Sequence, residues 1–236
     1  MNRLLSTIRC DLRLQQRNGL YYASAFVLAV YALGLSQLHA TGTQLNLAWL
    51  LPAVVLNNLI ITSFYFIGAL VLLEKTEGTL AAQVVSPLRA GEYIAAKVIT
   101  LTALALAYNL AVVALVVGSE FGALTLITGV GVAAALMVMA GFVAVARYES
   151  VNEYLLPSLP YAAGLMLPLA SMFGWDSPLL YVHPLQGPML LLRAAFTPAD
   201  AWQLAYGVLA SALWLGVGTW LCQRTFQRFV VGRVAD

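Results

Sequence analysis

The chain alternates between long apolar runs and short polar breaks. Asn18 to Leu73 holds 56 residues without a charged side chain. A membrane-crossing helix needs roughly 20 apolar residues, so this block predicts two spans. The polar patch His39–Asn46 divides them, at about 20–38 and 47–73. Pro52 and the pair Asn57-Asn58 predict a tilt or kink in the second. Residues 98–119 and 121–146 are again free of charge, with Glu120 alone between them, which predicts a tight helical hairpin turning at Gly118-Ser119-Glu120. In its second arm Gly129, Gly131, Ala133–Ala135 and Gly141 supply the small residues that let helix backbones approach in lipid.

A fifth apolar run covers 154–175, broken by Pro157, Pro160 and Pro168. Residues 176–200 hold apolar pieces too short to cross, punctuated by Pro178, Pro184, Pro188 and Pro198, and they predict a re-entrant or interfacial segment. The sixth span is expected at about 201–222. With these boundaries no span carries an interior charge.

Residues 1–18 precede the first span and have a different pattern. As a helix they place Leu4, Leu5, Ile8 and Leu12 toward one side and Arg9, Arg13 and Arg17 toward another. Such a basic amphipathic helix is expected along a membrane surface, its arginines toward lipid phosphates. The first apolar run is too long for the core of a signal peptide and is read as a span that stays. The fold class is therefore an all-α integral membrane protein: an interfacial helix at 1–18 and a six-span domain over 19–236.

Composition agrees. The chain is 61% hydrophobic and 9% charged, against about 25% charged in ordinary globular domains. Eleven of the 12 Lys and Arg residues lie in the N-terminal segment, at 74–97, at Arg147 and in the tail. Six spans put all four segments on one side, and the positive-inside rule makes that side, with both termini, cytoplasmic.

The segment from Glu74 to Tyr93, E-K-T-E-G-T-L-A-A-Q-V-V-S-P-L-R-A-G-E-Y, gathers five charges into a chain otherwise nearly without them. Gly78 and Thr79 allow the chain to turn into a short helix, and Ser86-Pro87 stops it, because Pro biases its predecessor away from α. Leu80, Val84 and Val85 are expected as an apolar ridge, flanked by Glu77 and Arg89, suited to a partner's groove. The plainer alternative is a surface loop against the membrane.

Catalytic chemistry finds little support. There is no Gly-rich loop ending in Gly-Lys-Ser/Thr, so any ATP must be hydrolysed by another polypeptide. His39 and His183, both in expected external segments, are the one conceivable metal or catalytic pair; polar loop residues are the default, and no catalytic or metal site is expected. Cys10 and Cys222 lack metal-ligand or redox spacing and read as free thiols. Within the spans only uncharged polar groups are available. Asn57, Asn58 and Thr62 read as one polar stripe, and with Phe66 they are the candidate lining of a substrate path; helix cross-linking by hydrogen bonds is the alternative. Ion-coupled carriers usually hold ionisable groups at mid-membrane, so an external motor fits better.

The 74–97 stretch resembles the signature of the ABC-2 family of type 2 ABC exporter permeases, E-x-x-x-G-T-[LM]-x-x-[LI]-x-x-[ST]-P-[LV] before a Lys-bearing third span. It is matched by Glu74, Gly78, Thr79, Leu80, Ser86, Pro87, Leu88 and Lys97, with Ala81 and Ala82 where acidic or larger residues often stand. The six-span layout, interfacial helix and re-entrant segment extend the resemblance over nearly the whole chain. Asp11–Tyr22 and Asn57–Lys75 further resemble permeases described as fluoroquinolone exporters. The resemblance implies a half-transporter of a bacterial inner membrane. Two permease chains, identical or paralogous, would pair with two ATP-binding subunits that carry ATP and Mg²⁺. Residues 76–90, within the coupling segment 74–92, would be the coupling helix. Rival readings are a non-transporting membrane scaffold, an intramembrane enzyme and a haem-exporter permease. No nucleic-acid partner is expected.

Overall fold

A computed structural model describes residues 3–40, 46–80, 89–175 and 177–231, and every regular element among them is helical. α1 (Arg3–Arg17) breaks at Asn18-Gly19 into α2 (Leu20–Ala40). One continuous helix, Leu47–Thr76, follows as α3 (Leu47–Leu59), a π-helical turn (Ile60–Tyr65) and α4 (Phe66–Thr76). α5 (Ala90–Val117) and α6 (Ala123–Val145) form the expected hairpin and pair more extensively than any other two elements. α7 (Val151–Leu165) leads into a 3₁₀ segment (Leu167–Phe173), and a second 3₁₀ segment (Pro178–Val182) precedes α8 (Gln186–Ala194). α9 (Ala201–Phe226) ends in a π-helical turn (Gln227–Val231).

Four helices are long and apolar enough to cross a membrane: Leu47–Thr76, Ala90–Val117, Ala123–Val145 and Ala201–Phe229. A fifth candidate is α7 with its 3₁₀ continuation, bent by 44° at the junction. The apolar stretch Leu20–Gly34 of α2 is shorter than a full span. The expected count of six is thus four to five among the described residues. The expected boundary at residue 98 also moves. α5 begins at Ala90 and takes Glu92, Tyr93 and Lys97 into its helix: Glu92 caps the helix start, and Tyr93 and Lys97 find partners inside the protein.

α6 is the central post. Most of its length from Leu126 to Val145 is buried, including Ala133 to Ala135. It packs on α5, α8, α9, α4 and the π turn. Two glycines make this closeness possible. A Cβ on Gly129 would stand 3.0 Å from the Leu192 backbone nitrogen, and one on Gly141 would stand 2.6 Å from the Phe64 carbonyl oxygen and 2.5 Å from Ile67 Cγ2. The Gly141 contact falls on the π turn, whose extra residue per turn pushes backbone toward α6. Thr62 Oγ1 donates to the Asn58 carbonyl at 3.0 Å, competing with the regular ladder where the turn widens. The predicted irregularity therefore lies just after Asn57-Asn58.

In the 176–200 region, α8 is buried from Gln186 through Leu192 and wedged between α6 and α9. Gly207 of α9 meets Gly187 and Leu191 there. By contrast α9 buries only Gly207, Ser211, Cys222 and Phe226, so most of its surface faces away from this chain.

Gly141→Ala is expected to overpack the α6–π-turn contact and destabilise the protein by about 1–3 kcal/mol. Gly131→Ala, where Leu106 lies 3.8 Å from the added carbon, should be close to neutral. Thermal unfolding of the two variants in one detergent checks this; equal midpoints would contradict it.

Candidate functional site

The charges of the 74–97 region form a buried cluster. Lys97 Nζ donates to Asp11 Oδ1 at 2.7 Å and to Glu74 Oε1 at 2.5 Å. The three side chains are between 1% and 4% exposed. Tyr93 Oη donates to Glu74 Oε2 at 2.6 Å, and its ring centroid lies 5.3 Å from the ammonium. One turn along α5, Gln15 Nε2 donates to Thr100 Oγ1 at 2.8 Å. α1, α4 and α5 each contribute one charged group, so the cluster ties three elements together.

An ammonium in an apolar interior is costly unless counter-charges and hydrogen bonds replace water. Here two carboxylates do so, and Lys97 sits where a cation between Asp11 and Glu74 would otherwise go. Burial pushes the Asp11 carboxyl above its ordinary range, while the neighbouring Lys97 opposes that push. Among the described residues no group of three or more His, Cys, Asp or Glu could hold a metal ion.

The cluster corrects two expectations. Lys97 is an interior charge of a candidate span. The buried face of α1 is also polar: Asp11 and Gln15 are buried against α5, while Leu5 and Leu12 stay outward at 48% and 40% exposure. Arg9, Arg13 and Arg17 are exposed. α1 thus has three sectors, one inserted in the protein, one apolar and one basic. The lone acid of a basic helix was the signal for Asp11; its partner Lys97, 86 residues away, was singled out only through the family resemblance.

The charged segment leaves α4 directly beside the cluster. Arg17 Nη2 donates to both carboxylate oxygens of Glu77 at 2.8 Å. Gly78 turns with φ 69°, in the left-handed region that favours glycine, and Thr79 Oγ1 donates to the Glu74 carbonyl at 3.2 Å. Leu80 departs from the expected outward ridge: it is 4% exposed and packed in this chain's own core. Val84, Val85, Ser86 and Pro87 lie outside the described residues. Arg89 precedes α5, and its backbone N–H donates to Glu92 Oε2 at 2.9 Å, closing the helix start.

The expected path residues do not share one face. Asn58 Nδ2 donates to Asn109 Oδ1 at 3.0 Å in the core; Thr62 and Phe66 are buried too. Asn57 is exposed and accepts from Tyr31 Oη at 2.6 Å. Consecutive helical residues diverge by about 100°, so the pair splits between core and surface. His183 ties the turn before α8 to the end of α7. Its Nδ1 accepts from Leu185 N–H at 3.2 Å, so Nε2 carries the proton toward the Gly164 carbonyl at 3.1 Å. Burial lowers its pKa from the usual histidine value. The side chain of His39 lies outside the described residues. Cys10 and Cys222 are free thiols.

A sequence model of the fluoroquinolones export permease protein family matches residues 2–234. Two curated relatives, both named fluoroquinolones export permease protein, come from Mycobacterium tuberculosis strains CDC 1551 and H37Rv. Each is 32% identical over 237 aligned positions, covering 99% of this chain and 98% of the relative.

Lys97→Met is expected to cost about 3–5 kcal/mol, because it strands two buried carboxylates. Converting the whole set with Asp11→Leu, Glu74→Met, Tyr93→Phe and Lys97→Met should recover most of that loss. Unfolding midpoints of the single and fourfold variants report the outcome. A Lys97→Met protein as stable as the parent would remove the cluster's structural role.

Proposed function

The chain belongs to the fluoroquinolones export permease protein family, and from that premise we propose that it is the membrane subunit of an ATP-driven exporter. The observation that carries the mechanism is the attachment of the charged segment. Glu74 and Glu77 flank its entry, one bonded to Lys97 and Tyr93 of α5, the other to Arg17 of α1. A push on residues 76–90 is therefore delivered to α1, α4 and α5 together.

In this reading two permease chains assemble with two ATP-binding subunits, which hold ATP and Mg²⁺. They dock on the coupling segment through Glu77, Gly78, Thr79, Arg89 and residues 84–87. Leu80 acts from inside, as the root that fixes the segment to the core. The chain sits in a bacterial inner membrane with α1 and both termini cytoplasmic. α2 serves as a first span, and the 3₁₀ segment at Pro178–Val182 with α8 serves as a re-entrant hairpin before α9, giving six spans. Closure of the ATP-binding subunits reorients the helices as packed units.

The relatives are named for fluoroquinolone export, and an amphiphilic, drug-like substrate suits the apolar surfaces. With Asn58, Thr62 and Phe66 turned inward, Asn57 beside Tyr31 is the member of the predicted set placed to meet cargo between two chains.

The Arg17–Glu77 pair tests coupling without threatening the fold, since exposed ion pairs contribute only about 0–1 kcal/mol. Arg17→Glu and Glu77→Arg should each lower drug-stimulated ATP turnover several-fold in proteoliposomes holding the complete complex. The double exchange should restore much of it, with unfolding midpoints unchanged. ATP turnover indifferent to drug and to Gly78→Pro would leave a scaffold instead.

A further inference from the structure

An apolar groove of about 220 Å³ opens between α6, α7 and α9, floored by Leu185 of the turn before α8. Leu136, Met139, Leu165 and Trp214 form its walls. Tyr161 and Leu221, at 43% and 37% exposure, form its outer lips, so it opens sideways into the surroundings of the bundle. Along α6 it runs from Leu136 to Ala144, a rise of about 12 Å. It ends just short of Arg147, the first charged residue after α6.

Arg147 is built into the mouth. Its guanidinium lies 5.6 Å from the Tyr161 ring centroid and 5.1 Å from that of Tyr148, and Nη2 donates to Tyr161 Oη. Tyr161 therefore carries the cation on the ring that lines the groove.

We propose that this groove holds an acyl chain of an anionic phospholipid, with the headgroup phosphate at Arg147. Three features select that occupant. One leaflet of a bilayer core is about 15 Å deep, and a groove about 12 Å long beginning at the charged boundary matches a chain that descends from it. Whole drug-sized ligands occupy cavities of about 300–1,000 Å³. The groove is smaller than that and suits the inserted part of a larger amphiphile. A guanidinium fork binds phosphate oxygens in pairs, and aromatic faces hold this one at the mouth. The site requires only that the chain lie in a membrane; it does not depend on ATP coupling.

Trp214 supplies a reporter. Its fluorescence, taken as the difference between parent and Trp214→Phe protein, is followed in bilayers containing brominated phosphatidylglycerol or brominated phosphatidylcholine. The anionic lipid should quench at several-fold lower mole fraction than the zwitterionic one. Arg147→Gln should abolish that preference, and Arg147→Lys should keep part of it. Gly218→Leu should weaken quenching by both lipids, because even a Cβ there meets Met139 Sδ at 2.8 Å. Equal quenching by the two lipids overturns the proposal, as does a preference that survives Arg147→Gln. Absence of quenching by either lipid would hand the groove to another occupant, such as a second copy of the chain. Relief of quenching by a fluoroquinolone without lipid preference would assign it to cargo.

Discussion

The ammonium of Lys97, held between Asp11 and Glu74, is the constraint from which the organisation of one end of the bundle follows. In a low-dielectric interior, opposite charges a few ångströms apart attract strongly, and each one alone is expensive. Three helices must converge for these charges to be paired and bonded. Docking of α1, the depth at which α5 begins and the exit of the chain from α4 are therefore one problem with one solution. The pair is weak support for net stability, since apolar groups of similar volume can do as well. Its stronger consequence is specificity: α1 cannot slide or rotate on α5 without unpairing a charge.

Elsewhere the bundle relies on shape. Apolar helices surrounded by lipid gain little by exchanging lipid contacts for one another, so close packing and internal hydrogen bonds decide which faces meet. Gly129 and Gly141 mark where α6 accepts backbone from α8 and the π turn. The Asn58–Asn109 bond joins α3 to α5 within the core. A π turn against a glycine is a demanding fit, since neither a larger residue at 141 nor a regular turn at 60–65 would reproduce the contact.

Features that depend on composition and short spacing were legible in the chain. The helical class, the α5–α6 hairpin, the small-residue face of α6 and the exposed basic row of α1 all follow from local pattern. Features that depend on partners distant in sequence were not. A charge at 97 reads as a boundary when its neighbours in the chain are counted, and as an interior group only once residues 11 and 74 are beside it. Leu80 reads as the start of an outward ridge by helical spacing, yet its own side chain is buried in the core of this chain. Asn57 and Asn58 read as one polar stripe, but the helical twist sends one outward and one inward. The candidate site was thus visible as a charged segment, and its interior half was hidden by sequence separation.

The placement of polar groups also bears on where cargo could travel. Asn58, Asn109 and Thr62 bond within the chain, and α6 is packed tightly through the middle of the bundle. A path through a single chain would have to break those bonds and separate α6 from the π turn. The outward surfaces of α2 and α9, with Phe26, Leu33, Leu209 and Leu213 exposed, need no such disruption. In the proposed pairing, a route bounded by these surfaces and a second chain would leave the core intact. In the proposed assembly, movement would then come from whole helices anchored at the Lys97 cluster, with the residues beside the charged segment acting as the lever rather than as the lining.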